Sequence, residues 1–445
     1  MNTPICDFID GYRAAKKVRL HMPGHKGKGA YSRDITEISG ADVLYSPRGI
    51  ILDSERNAAA LFNAARTVYS TEGSSLCIRA MVRLCVLYAK KRGKNPLIVA
   101  GANAHGTFLS ALAFSDAKCE WIRSDSLLSC PISASEAKAA IEKYDPVALY
   151  VTSPDYLGNR LDIGALSQVC HENGVLLIVD NAHGAYLKFV GKEHPIDLGA
   201  DMCCDSAHKT LPSLTGGAYL HISAAAPEEF CEWADDAMAV FASTSPSYLT
   251  LYSLDKTNAF LAQNGAKKAE IVAKRVQKLK KSLQKLGFTV LCGEPFKLTV
   301  LPKSYGYEGG ELAAILSESG VVCEFYDPDH VVMMFSFSSS LADFTVTENA
   351  FAAVVRRFPI TSAPPAIVAA KRVMTVREAM NLPFETVPTD RAKGRILASS
   401  SVSCPPAVPI LICGEEIDDD AVEAFKYYGI QEVKVVAECD EKEKI

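Results

Sequence analysis

The stretch Val175-Leu176-Leu177-Ile178-Val179-Asp180-Asn181-Ala182-His183-Gly184 decides how this chain is read. Residues 175–179 are continuously apolar, so they form a strand buried on both faces. Just before it, Asp162 is an N-cap, 163–173 a helix, and Gly174 the glycine that stops it. The same grammar recurs outward in both directions. Strands are expected at 67–70, 97–100, 147–152, 202–204 and 218–222. A helix after 67–70 runs to about residue 90, and another starts near Thr107 after the loop 101–106. Repeated strand-loop-helix units imply an α/β domain with a mostly parallel sheet. Ligands of such sheets bind beyond the carboxyl ends of the strands, so the polar residues that follow each strand are where chemistry is sought.

Each strand end carries polar residues. Thr71-Glu72-Gly73-Ser74-Ser75 opens a helix. A glycine and two hydroxyls there can cradle a phosphate, and Ser74 can equally be a simple N-cap. Asn103-Ala104-His105 offers a ring that could stack on a flat cofactor or move a proton. Ser153-Pro154-Asp155-Tyr156-Leu157-Gly158 reads as a turn. Asp180 ends a buried strand, where a carboxylate needs a cationic partner such as a protonated pyridine nitrogen; the alternative is a helix N-cap. Asp205-Ser206-Ala207-His208-Lys209-Thr210-Leu211-Pro212 places a lysine between two apolar strands. Lys209 there suits a Schiff base to an aldehyde cofactor beside phosphate ligands. Together these residues set a phosphate cradle, a stacking group, a pyridinium partner and an amine along one edge of one sheet.

The 445 residues exceed one ordinary core, so two or three domains are expected. The divisions are 1–260 (an N-terminal segment and the large domain), 261–360 (a small α/β domain) and 366–445 (a C-terminal α+β domain). Residues 359–365, with three prolines, form the linker before the last. A charged helix at 262–286 carries Lys267, Lys268, Lys274, Arg275, Lys278, Lys280, Lys281 and Lys285. It reads as a solvated face backed by Ile271, Val272, Val276, Leu279 and Leu283. A net charge of -5 argues against nucleic acid as a partner. No run of about 18 apolar residues exists to cross a membrane. The 14 cysteines include no C-x-x-C pair, so no metal site is expected. Cys77, Cys85 and Cys170 are expected to fill core space as reduced thiols. With no signal pattern over residues 1–10, a cytoplasmic protein is expected.

The chain resembles the ornithine/lysine/arginine decarboxylase family, on the pyridoxal-phosphate (PLP) aminotransferase-like fold (fold type I). The resemblance rests on His21-Met22-Pro23-Gly24-His25-Lys26-Gly27, Asp180-Asn181-Ala182-His183-Gly184, Ser206-Ala207-His208-Lys209-Thr210-Leu211-Pro212 and Thr244-Ser245-Pro246-Ser247-Tyr248. Gly394-Arg395-Ile396 and Pro405-Pro406-Ala407-Val408-Pro409 extend it to the C-terminal domain. It is similar to the short form, with no extra N-terminal domain. The resemblance implies that Lys209 binds PLP and Asp180 the pyridine nitrogen. It also implies that His105 stacks on the ring and His183 sits near the cofactor. Gly73, Ser74, Ser75, Ser206 and His208 would hold the phosphate, with Ser245 reaching the neighbouring subunit of a homodimer or higher oligomer. The chain departs from the family pattern at Glu72, Ala102, Gly106, Asp155, Asn181, Gly216 and Cys404.

The activity implied is decarboxylation of arginine, lysine or ornithine, with Lys209 or His183 returning a proton to the α-carbon. Asp155 and Glu324 are the candidate partners for a cationic substrate side chain. Two other readings stay open: another PLP reaction, aminotransferase or aldolase-type lyase, and a PLP-binding paralogue without turnover.

Overall fold

The computed structural model describes residues 1–124, 126, 128–365, 370–399, 403–404 and 408–438. Helices α1 (Pro4–Ala14) and α2 (Ile50–Phe62) precede the main sheet. The sheet is built from β1 (Arg66–Ser70), β2 (Leu97–Gly101), β3 (Lys118–Ile122), β4 (Ala148–Thr152), β5 (Leu176–Asp180), β6 (Met202–Asp205) and β7 (Ala218–Ile222). Helices α3 (Ser74–Lys91), α4 (Gly106–Ser115), α5 (Ala134–Tyr144), α6 (Ile163–Glu172) and the single turn α7 (Ala207–Thr210) lie between the strands. The strand order is β1-β7-β6-β5-β4-β2-β3. Strands β2 to β6 run parallel, and β7 is antiparallel to both neighbours.

The apolar run that opened the reading is the central strand. All five residues of β5 are buried. Leu176 and Ile178 join the cluster formed with α3 and α4, while Leu177 and Val179 join the one formed with α5 and α6. A two-residue period with both faces covered leaves no room for polar alternation. Strand β3 escaped the sequence reading because Lys118-Cys119-Glu120-Trp121-Ile122 has no apolar run; it is a half-exposed edge strand.

After α8 (Glu229–Ala239), helix α9 (Tyr248–Lys285) is a single helix of 38 residues, about 57 Å long at 1.5 Å per residue. It starts well before the charged helix expected from residue 262. Val272, Val276, Leu279 and Leu283 are buried as expected, but Ile271 is 37 % exposed and does not belong to the stripe. Lys280 is the exception among the lysines, buried and donating to the Glu294 carbonyl at 3.1 Å. The small sheet follows as β8 (Thr289–Leu291), β9 (Lys297–Leu301), β10 (Phe325–Tyr326) and β11 (Val331–Met334), in the antiparallel order β10-β11-β9-β8. Its helices are α10 (Gly309–Glu318) and α11 (Leu341–Ala352).

The C-terminal part contains α12 (Val376–Asn381), β12 (Phe384–Pro388), β13 (Ser403–Cys404), β14 (Val408–Pro409), α13 (Asp419–Tyr427) and β15 (Glu432–Val436). It docks on the β3 edge, where Arg372 donates to the Cys119 carbonyl and Glu120, and Arg123 pairs with Glu415. Residues 405–407 of the family motif lie outside the described residues. Cys77 and Cys85 on α3 and Cys170 on α6 are buried free thiols, their pKa values raised by burial. No helix among the described residues is long and apolar enough to cross a membrane.

Asp205, at the end of β6, ties three strands together beneath the site. Its Oδ2 lies 3.0 Å from His194 Nε2 and 3.3 Å from His221 Nε2, and its Oδ1 accepts from Asn181 Nδ2 at 2.6 Å. Burial alone would raise its pKa, yet the two imidazoles hold it well below the usual carboxylate range. These three side chains bring potential ligand atoms within 4.8 Å of one another. The His194 contact has the spacing of a hydrogen bond, the His221 contact is longer, and Thr67 occupies the other ring nitrogen of His221 at 2.8 Å. A carboxylate depressed in the folded state stabilises fully above the ordinary carboxylate range and withdraws that contribution as pH falls below it. Asp205→Ala is therefore expected to cost about 3–5 kcal/mol at neutral pH, read by urea unfolding. The difference from wild type should shrink in acid.

Candidate functional site

The parallel strands release their chains at one edge, and the gathered side chains follow from that. Lys209 lies in α7, directly after β6, with its Nζ 3.0 Å from His183 Nε2 in the loop after β5. Burial pushes the lysine pKa below its ordinary range. Lys297 repels in the same direction, while Asp180 and Glu324 pull it back up. Asp180 is 3 % exposed. Its carboxylate accepts from the Tyr150 hydroxyl and the Ala182 N–H, each at 3.1 Å. An ionised carboxylate has about four acceptor positions, so these bonds hold it in place and leave capacity for a cation.

His105 caps α4. Its Nδ1 accepts from the Thr107 N–H at 3.1 Å, and burial lowers the ring's pKa, favouring a neutral imidazole. Asp180 and Lys209 both act on it electrostatically.

The N-terminus of α3 forms the cradle. Gly73, not Ser74, is the N-cap residue, at φ 74°, and no side chain caps the helix. Its first N–H groups are thus available to an anion, and the dipole favours one. Ser206 Oγ donates to Ser74 Oγ at 2.7 Å, and Thr107 Oγ1 to Ser75 Oγ at 3.2 Å. The His208 ring lies against Gly73, where an added Cβ would come within 3.9 Å of Cε1. The structure therefore brings Gly73, Ser74, Ser75, Ser206 and His208 together and adds Thr107. Ser245 makes none of these bonds; it is exposed, and its N–H donates to Ser243 Oγ at 3.1 Å.

Four of the seven departures from the family pattern, Glu72, Asn181, Gly216 and Asp155, have local reasons. Glu72 turns its carboxylate to the Ser243 N–H, 2.8 Å away, so the bond holds it on the Ser243 loop. Asn181 is fully buried and donates to Asp205; Gly184 is needed beside it, since a Cβ there would lie 2.1 Å from Asn181 Oδ1. Gly216, at φ 90°, accepts from the Gly73 N–H at 2.8 Å, and any Cβ would sit 2.5 Å from the Thr71 carbonyl oxygen. Asp155 is 4 % exposed and engaged locally, accepting from the Asn159 N–H at 2.8 Å and from Asn159 Nδ2 at 3.0 Å.

Sequence reasoning missed Lys297, Glu294 and Tyr156. Lys297 begins β9 on the small sheet, is 1 % exposed and reaches His183 Nδ1 at 3.2 Å. Lys209 was marked by its place between two apolar strands, just past a strand end, whereas Lys297 opens a strand and carries no such local signal. Tyr156 lies edge-on to His183, with ring centroids 4.7 Å apart, and burial and then Glu324 push its hydroxyl's pKa up.

The sequence matches the family description Orn/Lys/Arg decarboxylase, major domain, over residues 3–294, and the C-terminal domain of the same family over 360–435. It is 26% identical to the uncharacterized protein YaaO of Bacillus subtilis, over 100% of this chain and 98% of that one. It is 27% identical to the arginine decarboxylase of the same organism, over 94% and 92%. The fold is similar to that of the constitutive lysine decarboxylase of E. coli, with a TM-score of 0.77 at 17% identity, covering 98% of this chain and 82% of that one.

Gly216→Ala is expected to cost about 2 kcal/mol, combining left-handed backbone strain with the clash at Thr71. A thermal melt checks the stability. Weakened protection of the α3 N-terminus by inorganic phosphate, followed by hydrogen exchange, checks the cradle.

Proposed function

This chain belongs to the Orn/Lys/Arg decarboxylase family, and we propose that it releases carbon dioxide from the α-carbon of arginine, lysine or ornithine with PLP as cofactor. The observation that carries this is the single edge on which a partly buried lysine, a buried aspartate and an uncapped, hydroxyl-lined helix N-terminus converge. Those groups fit PLP by chemistry. An amine meets its aldehyde, a carboxylate its pyridine nitrogen, and a helix N-terminus its phosphate. PLP, when bound, supplies the sink for the electron pair left as the α-carboxylate departs.

The protein's part is to bind, orient and move protons. Asp180, held by Tyr150 and Ala182, keeps the pyridine nitrogen protonated. Ser74, Ser75, Ser206, His208 and the α3 N–H groups hold the phosphate, and His105 covers the ring. Lys209 Nζ is the attachment point and, once displaced, the amine that carries a proton to the α-carbon. His183 Nε2, 3.0 Å away, is the group it exchanges protons with. Glu324 is the partner for the substrate's cationic end: its charge acts on both Lys209 and Tyr156, whereas both Asp155 oxygens serve Asn159. The protein works as a cytoplasmic homodimer or higher oligomer, with Ser245 serving the neighbouring site. Its chain divides into 1–260, 261–360 and 366–445.

The test is to supply PLP and then arginine, lysine and ornithine in turn, following the visible absorption and the carbon dioxide evolved. A band that is lost in Lys209→Ala, with carbon dioxide from one amino acid, supports the reading and names the substrate. An intact band with no carbon dioxide from any of them points to a different reaction at the same cofactor or to a silent paralogue. Lys209→Ala should lower kcat by about a thousandfold. Glu324→Gln should raise KM for the basic substrate about tenfold with kcat little changed.

A further inference from the structure

Lys297 lies outside the sheet edge that carries the site, yet it is bonded to the site's histidine. Its Nζ donates to the Asp155 carbonyl at 3.0 Å, pairs with Glu294 Oε1 at 2.9 Å, and lies 3.2 Å from His183 Nδ1. An ammonium has three N–H donors and no lone pair, and here there are three acceptors for them. Nδ1 of His183 must then offer its lone pair. A neutral imidazole that accepts at Nδ1 carries its one proton on Nε2. Nε2 faces Lys209 Nζ at 3.0 Å, so that contact is an N–H pointing at the lysine. Only an amine with a free lone pair can accept it.

We propose that Lys297 is a positioning residue that confines the His183 proton to Nε2 and thereby holds Lys209 as an unprotonated amine. This rests on the reading of Lys209 as the cofactor's lysine, because a neutral amine is the form that condenses with an aldehyde. The surroundings agree. Burial, the largest cause, pushes the His183 pKa well below its ordinary range, and the neighbouring cations act the same way, which favours the neutral imidazole. Burial and Lys297 lower that of Lys209 against the pull of Asp180, Glu324 and Cys204. His208 of the same turn also responds to Lys209. Tyr156 meets His183 from the β4 side, its phenol kept protonated by burial and Glu324. Glu294 balances the Lys297 charge within the small domain, so the added cation is tolerated in the interior.

Two measurements test it. In apo-protein labelled with ring-15N histidine, and assigned with His183→Gln, the wild type should show His183 protonated at Nε2 alone. In Lys297→Met the proton should move to Nδ1, and Lys297→Arg, which keeps a cationic donor, should restore it to Nε2. Second, the rate at which apo-protein acquires the visible band with added PLP is measured against pH. Removing the like charge should move the midpoint upward by about one pH unit in Lys297→Met, making capture about tenfold slower below the wild-type midpoint. Lys297→Arg should keep the wild-type midpoint. If Lys297→Met fails to fold because Glu294 is stranded, Lys297→Met/Glu294→Gln replaces it. A wild-type His183 protonated at Nδ1, or a folded Lys297→Met with unchanged tautomer and midpoint, overturns the proposal. Absence of any band in the wild type overturns the cofactor reading instead, and the nitrogen spectra still decide the role of Lys297.

Discussion

Charge taken out of water is the constraint on which this molecule turns. Asp180, Asp205, Glu294 and Lys297 are nearly or wholly shut from solvent around one end of the sheet, and Lys209 is partly buried beside them. Each would cost several kcal/mol if left alone there. None is left alone. Asp205 meets two imidazoles and an amide, Lys297 meets Glu294, and Asp180 is held by a phenol and a backbone N–H. Lys209 differs in kind: its one bonded neighbour among these groups is an imidazole, so its burial is relieved by giving up its own proton. Of these five groups, four are held by hydrogen bonds or ion pairs and the fifth gives up its proton, which suits a reagent that needs a free amine.

The same logic explains residues that depart from the family pattern. A carboxylate at Glu72 would repel a phosphate, and its bond to the Ser243 N–H anchors it on that loop. Asn181 turns its amide to Asp205 and is a buried strap beneath the site. Gly216 is dictated by backbone, since only a residue without a Cβ lets the loop after α7 close on Thr71 and accept from Gly73. These substitutions leave the α3 N-terminus, Asp180 and Lys209 in place.

The two sheets share the site through the turn after β4. The Asp155 carbonyl receives Lys297, the Gly158 carbonyl receives the Glu294 N–H, and the Leu157 carbonyl receives Thr299 Oγ1. Helix α9 spans both parts and buries one stripe along its length. A site assembled across two packed bodies depends on how closely they meet, and these backbone acceptors set that distance.

Much of this was legible in the amino-acid order. Continuous apolar runs determined β2, β4, β5, β6 and β7, because a doubly buried strand must be apolar at every position. Polar residues at the strand ends then placed Asp180, His105, the Ser74–Ser75 pair and Lys209 on one edge, because parallel strands all release their chains on the same side. Three things only the tertiary structure decided. Strand β3 forms by pairing with β2, not through its own composition. Asp155 reads as a free carboxylate until the turn folds it onto Asn159. Lys297 lies 88 residues beyond Lys209 in a different sheet, and nothing local marks it. Its meaning comes from geometry alone: the direction of its three N–H bonds assigns a proton on His183 and removes one from Lys209, and hydrogen-bond direction exists only once the chain has folded.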